Sequence, residues 1–281
     1  MNWLTEPLSY GFMRTGLLAA VLVSISCAAV GTHVVARRMS FLGDALAHTM
    51  LPGIVIAFLL GASLLGGALV AAVVTVLLIA LITRGGRVQE DAAIGVAFTG
   101  MFAIGVMLLS TTNSFRDFTH ILFGNILGVG DGDLVVLGII TGVVLLLLLL
   151  FRREFELTAV DPQHALAIGL RPDRVRMGLL LLLAPTIVAG IQAVGVLLTT
   201  GLLIVPAAGA FLVTRRFRTT MLVAVLIGVG ASLAGVLISY HAGVSTGATI
   251  ALCACIGFAA CLGIAALRGT TATTSPKEAT E

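Results

Sequence analysis

LVVLGIITGVVLLLLLL, residues 134–150, carries no charged side chain and stays apolar on every face. A strand of an outer-membrane barrel alternates apolar and polar positions over about 10 residues, so this run excludes a barrel. A helix of this composition is instead suited to the hydrocarbon core, which takes about 20 apolar residues to cross. The rest of the chain repeats the pattern: of 281 residues, 59% are hydrophobic and only 10% charged, where a soluble domain carries about 25% charged residues. Mean hydropathy is +1.15. With 33 Gly and 7 Pro, the apolar runs are a mixture of Leu, Val, Ala, Ile and Gly that lets helix backbones approach one another in lipid. The expected fold is therefore all-α, a polytopic transmembrane helical bundle.

Apolar runs place spans near residues 11–35, 41–61, 63–83, 92–110, 134–151, 175–191, 194–213, 219–239 and 246–267. Residues 177–213 are too long for one crossing and short for two, with Gly190, Gln192 and Gly195 as the bend, so eight or nine spans stand open. Cytoplasmic loops carry the excess of Lys and Arg. With the N-terminus outside, nine spans put Arg37, Arg38, Arg84, Arg87, Arg152, Arg153, Arg171, Arg174, Arg176, Arg215, Arg216, Arg218, Arg268 and Lys277 inside. Only Arg14 and Arg116 remain at the outer side, beside an outer loop holding Asp117, Asp131 and Asp133. The formal net charge of +3 thus reads as membrane topology, with lipid and no nucleic acid around the chain. Residues 1–268 form one transmembrane domain, and residues 269–281, polar and Thr-rich, a disordered cytoplasmic tail. The first ten residues hold Glu6 and Pro7 and lack a basic leader, so no cleaved signal is expected. Cys27, Cys253, Cys255 and Cys261 lie within apolar runs and are expected to be buried small residues, the CxC spacing pointing its thiols to different faces.

Ionisable residues inside a membrane are costly and therefore informative. In SFLGDALAHTMLPG, residues 40–53, Asp44 and His48 are four apart and meet on one helical face. Four residues further, Pro52 has no N–H to offer the His48 carbonyl and its ring presses on it. A carboxylate, an imidazole and a freed carbonyl are ligands for a borderline divalent cation. One copy supplies too few of them, whereas two copies across a two-fold axis give two carboxylates and two imidazoles. Two other readings of the pair stand beside this one. Ser40 or Asp44 could cap the helix while His48 bonds a neighbouring helix, or the pair could relay protons.

The second polar feature is FRREFELTAVDPQHALAIGLRPDRVR, residues 151–176, the longest inner loop. Asp161 followed by Pro162 starts a helix in the N-cap, N1 manner. Ala165, Ala167 and Gly169 give that helix a small-residue face before Arg171 and Pro172 end it, which suits docking into a partner's cleft as well as an ordinary structured loop. His33, His120 and His164 read as structural or surface histidines, and His241 at an outer turn as a possible point of contact for an arriving metal. Glu90 and Asp91 read as a helix N-terminal charge pair, and Pro206 as a kink or hinge.

Several stretches together bring a family into view. RRMSFLGDALAHTMLPG at 37–53, LFGNILGV at 122–129, AVGVLLTTGLLIVPAA at 193–208 and SYHAGVSTGATI at 239–250 resemble, with the chain around them, the permease subunits of bacterial zinc and manganese ABC importers. The resemblance implies a type II ABC-importer-like bundle in the bacterial plasma membrane with a cytoplasmic C-terminus. It also implies a second permease copy, cytoplasmic ATPase subunits and an extracytoplasmic metal-binding protein. Carried over by position, Asp44 and His48 match the family's metal-contacting pair, and the helix at Asp161, Ala165 and Gly169 resembles the coupling helix that seats in the ATPase. His241 stands where many relatives have another residue. The chain has no GxxxxGK[ST] phosphate loop, so it is expected to translocate zinc or manganese rather than catalyse, with no permanently bound cofactor. The alternatives are a stand-alone secondary metal/proton carrier, responding to pH through His48, and a structural membrane scaffold.

Overall fold

Small residues decide which helix lies at the centre. In a computed structural model describing residues 9–84, 88–111 and 126–272, α1 (Gly11–Ala36) buries Ala19, Ala20, Ser24, Cys27, Ala28, Ala29 and Gly31. Nothing is gained in lipid by hiding apolar surface as such, so close backbone approach is what holds helices together there. Gly31 illustrates it: a Cβ at that position would overlap the backbone carbonyl of Leu203. Ser24 adds a polar tie, its hydroxyl bonding Ala20 O at 2.8 Å and meeting the Ser232 hydroxyl at 2.5 Å.

Around α1 the chain continues as α2 (Phe41–Thr49), α3 (Leu51–Leu59), α4 (Leu64–Thr83), α5 (Glu90–Ser110), a 3-10 turn (Ile126–Gly128), α6 (Asp131–Leu150), α7 (Arg152–Val160), α8 (Pro162–Ala167), α9 (Pro172–Val194), α10 (Val196–Val213), α11 (Phe217–Ala242) and α12 (Thr246–Ala272). Helices α6, α9, α10 and α11 pack on α1, while α3, α4 and α5 form a neighbouring group, tied to it through α2 and α9. Leu149, Leu150, Leu252 and Leu267 point outward from α6 and α12, as residues facing lipid do.

Nine helical segments among the described residues are long and apolar enough to cross a membrane. The uncertain stretch is divided at Gly195, whose φ of 88° and ψ of 166° lie in a region open essentially to glycine alone. Gly195 N–H closes α9 on Ile191 O at 2.9 Å, and Gly195 O opens α10 by accepting from Thr199 N–H at 3.1 Å. The run 41–61 is not one unbroken helix. It divides at Met50 because Pro52 sits in the first turn of α3, where a missing N–H costs nothing. Met50 keeps φ −72° and ψ −19°, near-helical values, so α2 and α3 still make one crossing. Cysteine burial departs from expectation too: Cys27 and Cys261 are buried, Cys253 is intermediate, and Cys255 faces outward on α12.

Candidate functional site

Asp44 and His48 stand one turn apart on α2, with His48 Nε2 3.7 Å from Asp44 Oδ1. Both are partly open, the Asp44 side chain 45% and that of His48 29% exposed, so the pair is reachable from outside the chain. The capping reading loses support: Ser40 makes no side-chain cap hydrogen bond to the first turn of α2. Nor does a hydrogen bond fix His48 to a neighbouring helix. Aromatic rings of α5 do, Phe98 at 6.0 Å and Phe102 at 5.7 Å between centroids, both near edge-on. Those two rings stack on each other 8° from parallel, and Phe41 at the start of α2 meets Phe98 edge-on at 5.9 Å.

Pro52 sits in the first turn of α3 and has no N–H for the His48 carbonyl four residues before it. His241 does not join the pair. It ends α11 with its ring 5.2 Å from Tyr240, and the described residues hold no group of three or more His, Cys, Asp or Glu side chains able to enclose a metal ion. One chain therefore offers a carboxylate and an imidazole side by side. A cavity of about 460 Å³ between α3, α4, α6 and α9, lined by Ile54, Leu65, Asp133 and Gln192 among others, does not include the pair.

The inner loop is the other organised polar region. Asp161 caps α8 by accepting the His164 N–H at 2.9 Å, with Pro162 at the first helical position. Its other end closes with Gly169 at φ 86°, the Gly169 N–H bonding Leu166 O and the Leu170 N–H bonding Ala165 O, both at 3.0 Å. That pair of bonds is the Schellman arrangement, which favours glycine at its left-handed position. Of the small-residue face, Ala165 is fully buried against its own chain, whereas Ala167 and Gly169 are exposed together with Leu166 and Ile168. Ala165 is small because α8 lies against α7 and α9. Arg37, just past α1, ties this region down by donating to Phe155 O at 3.2 Å and to Thr158 Oγ1 at 2.7 Å. Burial, and then the neighbouring Arg176, pull Arg37 down to about 10, which leaves it charged at neutral pH. His33, buried on α1, packs its ring between Phe155 and Phe217.

The profile of the ABC 3 transport family matches residues 9–264. The chain belongs to that family. Among curated members, the chelated iron transport system membrane protein YfeD of Yersinia pestis is 41% identical over 249 residues, covering 89% of this chain and 84% of the relative. The manganese transport system membrane protein MntC of Halalkalibacterium halodurans is 41% identical over 250 residues, covering 88% and 85%. Among solved structures, PsaBC from Streptococcus pneumoniae in complex with Fab superposes with a TM-score of 0.82 at 31% identity, covering 93% of this chain and 94% of that one. Family membership makes the chain a multi-pass membrane transport subunit and sets aside the stand-alone carrier and the scaffold.

Two features of this family member were not legible in its sequence. The Glu90 carboxylate, expected only to complement its own helix, forms an ion pair with Arg176 of α9, and Arg176 also reaches Thr83 Oγ1 of α4 at 3.3 Å. A cavity of about 730 Å³ opens beside this pair, with Arg84, Glu90, Asp173 and Arg174 in its lining. The aromatic support of His48 by Phe98 and Phe102 is the second. The one signal for either was an acid and a base each placed at a span's end. His120 and residues 122–125 of the LFGNILGV stretch lie outside the described residues, as does the chain beyond Ala272.

Proposed function

We propose that this chain is the membrane-spanning permease subunit of an ATP-binding-cassette importer for a divalent transition metal ion, with manganese or iron ahead of zinc. The observation that carries the reading is the Asp44–His48 pair, adjacent and part-exposed on α2 in a chain of a transport family whose members include iron and manganese systems. A hard carboxylate and an imidazole suit manganese and iron as well as zinc, so the names of the relatives rather than the donor set decide the order.

A second copy facing the first across a two-fold axis would bring two carboxylates and two imidazoles onto one ion. Asp44 would supply the charge that offsets desolvation of the cation, and His48 the more selective nitrogen. An extracytoplasmic binding protein would deliver the metal, and cytoplasmic ATPase subunits would drive the change of access. Helix α8 is the element offered to those subunits: Asp161 and Gly169 set its ends, Ala165 seats it on the chain, and Leu166 and Ile168 form its outer surface. On this reading α8 and the C-terminus lie in the cytoplasm of a bacterial cell, which the arginine-rich loops support.

The test is uptake of radioactive manganese, iron and zinc, in separate assays, by cells expressing the chain with its binding protein and ATPase. Asp44→Ala and His48→Ala should each abolish uptake while membrane levels and complex assembly stay normal. Unchanged uptake in both variants would leave the pair without a transport role. Retained uptake without the ATPase would return the carrier to consideration.

A further inference from the structure

Helix α5 touches both organised regions. At its N-terminus Glu90 is held by Arg176, which lies in the second turn of α9, and α9 follows the Schellman end of α8 after only Leu170 and Arg171. Arg176 is the better buried partner, its side chain 18% exposed against 42% for Glu90, and it is further placed by Asp173 at 3.7 Å and Thr83 at 3.3 Å. Further along α5, about 12 and 18 Å from Glu90 at 1.5 Å per residue, Phe98 and Phe102 carry the stacked rings against which the His48 imidazole stands. Being four residues apart, they share one face of α5. One turn further again, Gly105 lies so close to α3 that a Cβ there would come within 2.9 Å of Leu51 Cβ and Pro52 Cδ. α5 is thus fitted to the Met50 break as well as to the histidine before it.

Helices move as rigid rods between packed alternatives rather than by continuous bending. A displacement of α8 and the start of α9 therefore reaches α5 through the ion pair, and a turn or slide of α5 withdraws both rings from His48. We infer that α5 is the lever joining the docking segment to the Asp44–His48 pair, with Glu90 and Arg176 as its attachment and Phe98 and Phe102 as positioning residues for the His48 imidazole. This rests on the proposed reading of the chain as an ATP-driven metal permease and names how the two ends of that machine communicate. The rings need not touch the ion. They hold the imidazole turned toward Asp44, in the manner of outer groups that orient a metal ligand.

The experiment uses the complete transporter, with ATPase and loaded binding protein, in proteoliposomes, reading manganese uptake and ATP hydrolysis from the same preparation. Glu90→Gln and Arg176→Gln should leave hydrolysis near the wild-type rate while ions moved per ATP fall by about 5-fold or more, and the exchanged pair Glu90→Arg with Arg176→Glu should recover that ratio. Phe98→Leu combined with Phe102→Leu should raise the KM for manganese-loaded binding protein or lower ion occupancy at the pair by about 10-fold with the maximal hydrolysis rate unchanged. Phe102→Tyr, which keeps the ring, should behave as wild type. Hydrolysis and uptake falling together, an exchanged pair no better than the single variants, or leucine variants with wild-type uptake and occupancy would each overturn the lever. A wild-type transporter showing no ATP-dependent uptake would instead overturn the functional reading on which the lever rests.

Discussion

Gly53 of α3 and Gly67 of α4 face each other at a crossing where there is no space for a methyl group. A Cβ on Gly53 would overlap the Gly67 carbonyl and stand 2.6 Å from Ala71 Cβ, and one on Gly67 would overlap the Gly53 carbonyl and stand 2.5 Å from Ala57 Cβ. Carbon atoms in contact prefer about 3.5–4.0 Å, so either Gly→Ala change forces the helices apart by about 1 Å. A gap of that size forfeits about a quarter to a half of the dispersion along the crossing, and overpacking of this kind costs about 1–3 kcal/mol. For a chain of this size that lowers the thermal midpoint by about 2–5 °C. The double variant should cost well under the sum, because the separation forced by one methyl makes room for the other and the two sites share their contacts. Thermal unfolding of purified protein in lipid nanodiscs measures all three. Unshifted midpoints, or a double variant fully additive in its parts, would refute the reasoning.

Asp161→Ala removes the acceptor of the His164 N–H and should cost α8 about 0.5–2 kcal/mol; transport should fall while Asp161→Asn, which caps as well, retains it in the same uptake assay. Gly195→Ala places a side chain at φ 88° and should destabilise the protein by about 1–3 kcal/mol, read as a lower thermal midpoint. Arg37→Ala deletes the two bonds that hold α7 to the end of α1, for a loss of about 1.5–3 kcal/mol. Faster tryptic cleavage after Arg152 and Arg153 in the folded protein is the expected sign, and an unchanged cleavage rate would show that other contacts hold α7.

What the sequence disclosed and what it withheld divide along contact distance. Runs such as residues 134–150 reveal a crossing because length and apolarity are properties of the segment itself. The ends of α8 were legible for the same local reason, an Asp-Pro start and a Gly finish. The four-residue spacing of Asp44 and His48 likewise fixed their adjacency before any tertiary packing was considered. The division of 41–61 at Met50 needed one finer step, that Pro52 would fall within a first turn rather than a helix interior. Glu90 with Arg176, and His48 with Phe98 and Phe102, are contacts between helices distant in sequence, and no periodicity encodes which faces meet. Ala165 shows the same limit, since a small residue on a short helix is equally suited to a partner's surface and to its own chain's, and only packing on α7 and α9 decides.

The two-donor arrangement of each chain bears on how an ion could leave. A closed structural site binds zinc by about 10–16 kcal/mol. At 14 kcal/mol the dissociation constant is about 5 × 10⁻¹¹ M, and with association at about 10⁸ M⁻¹s⁻¹ the ion would stay for about 200 s. At 10 kcal/mol the same arithmetic gives about 0.2 s. A transporter that closed four donors on its cargo and kept them closed would therefore be limited by release. On the proposed function, with Asp44 and His48 of each copy supplying half of the donors, separation of the copies would halve the ligand set without unfolding either chain. In that proposed arrangement affinity would follow from the distance between subunits, and whatever moved α2 against its partner, α5 included, would govern when the metal is held and when it is given up.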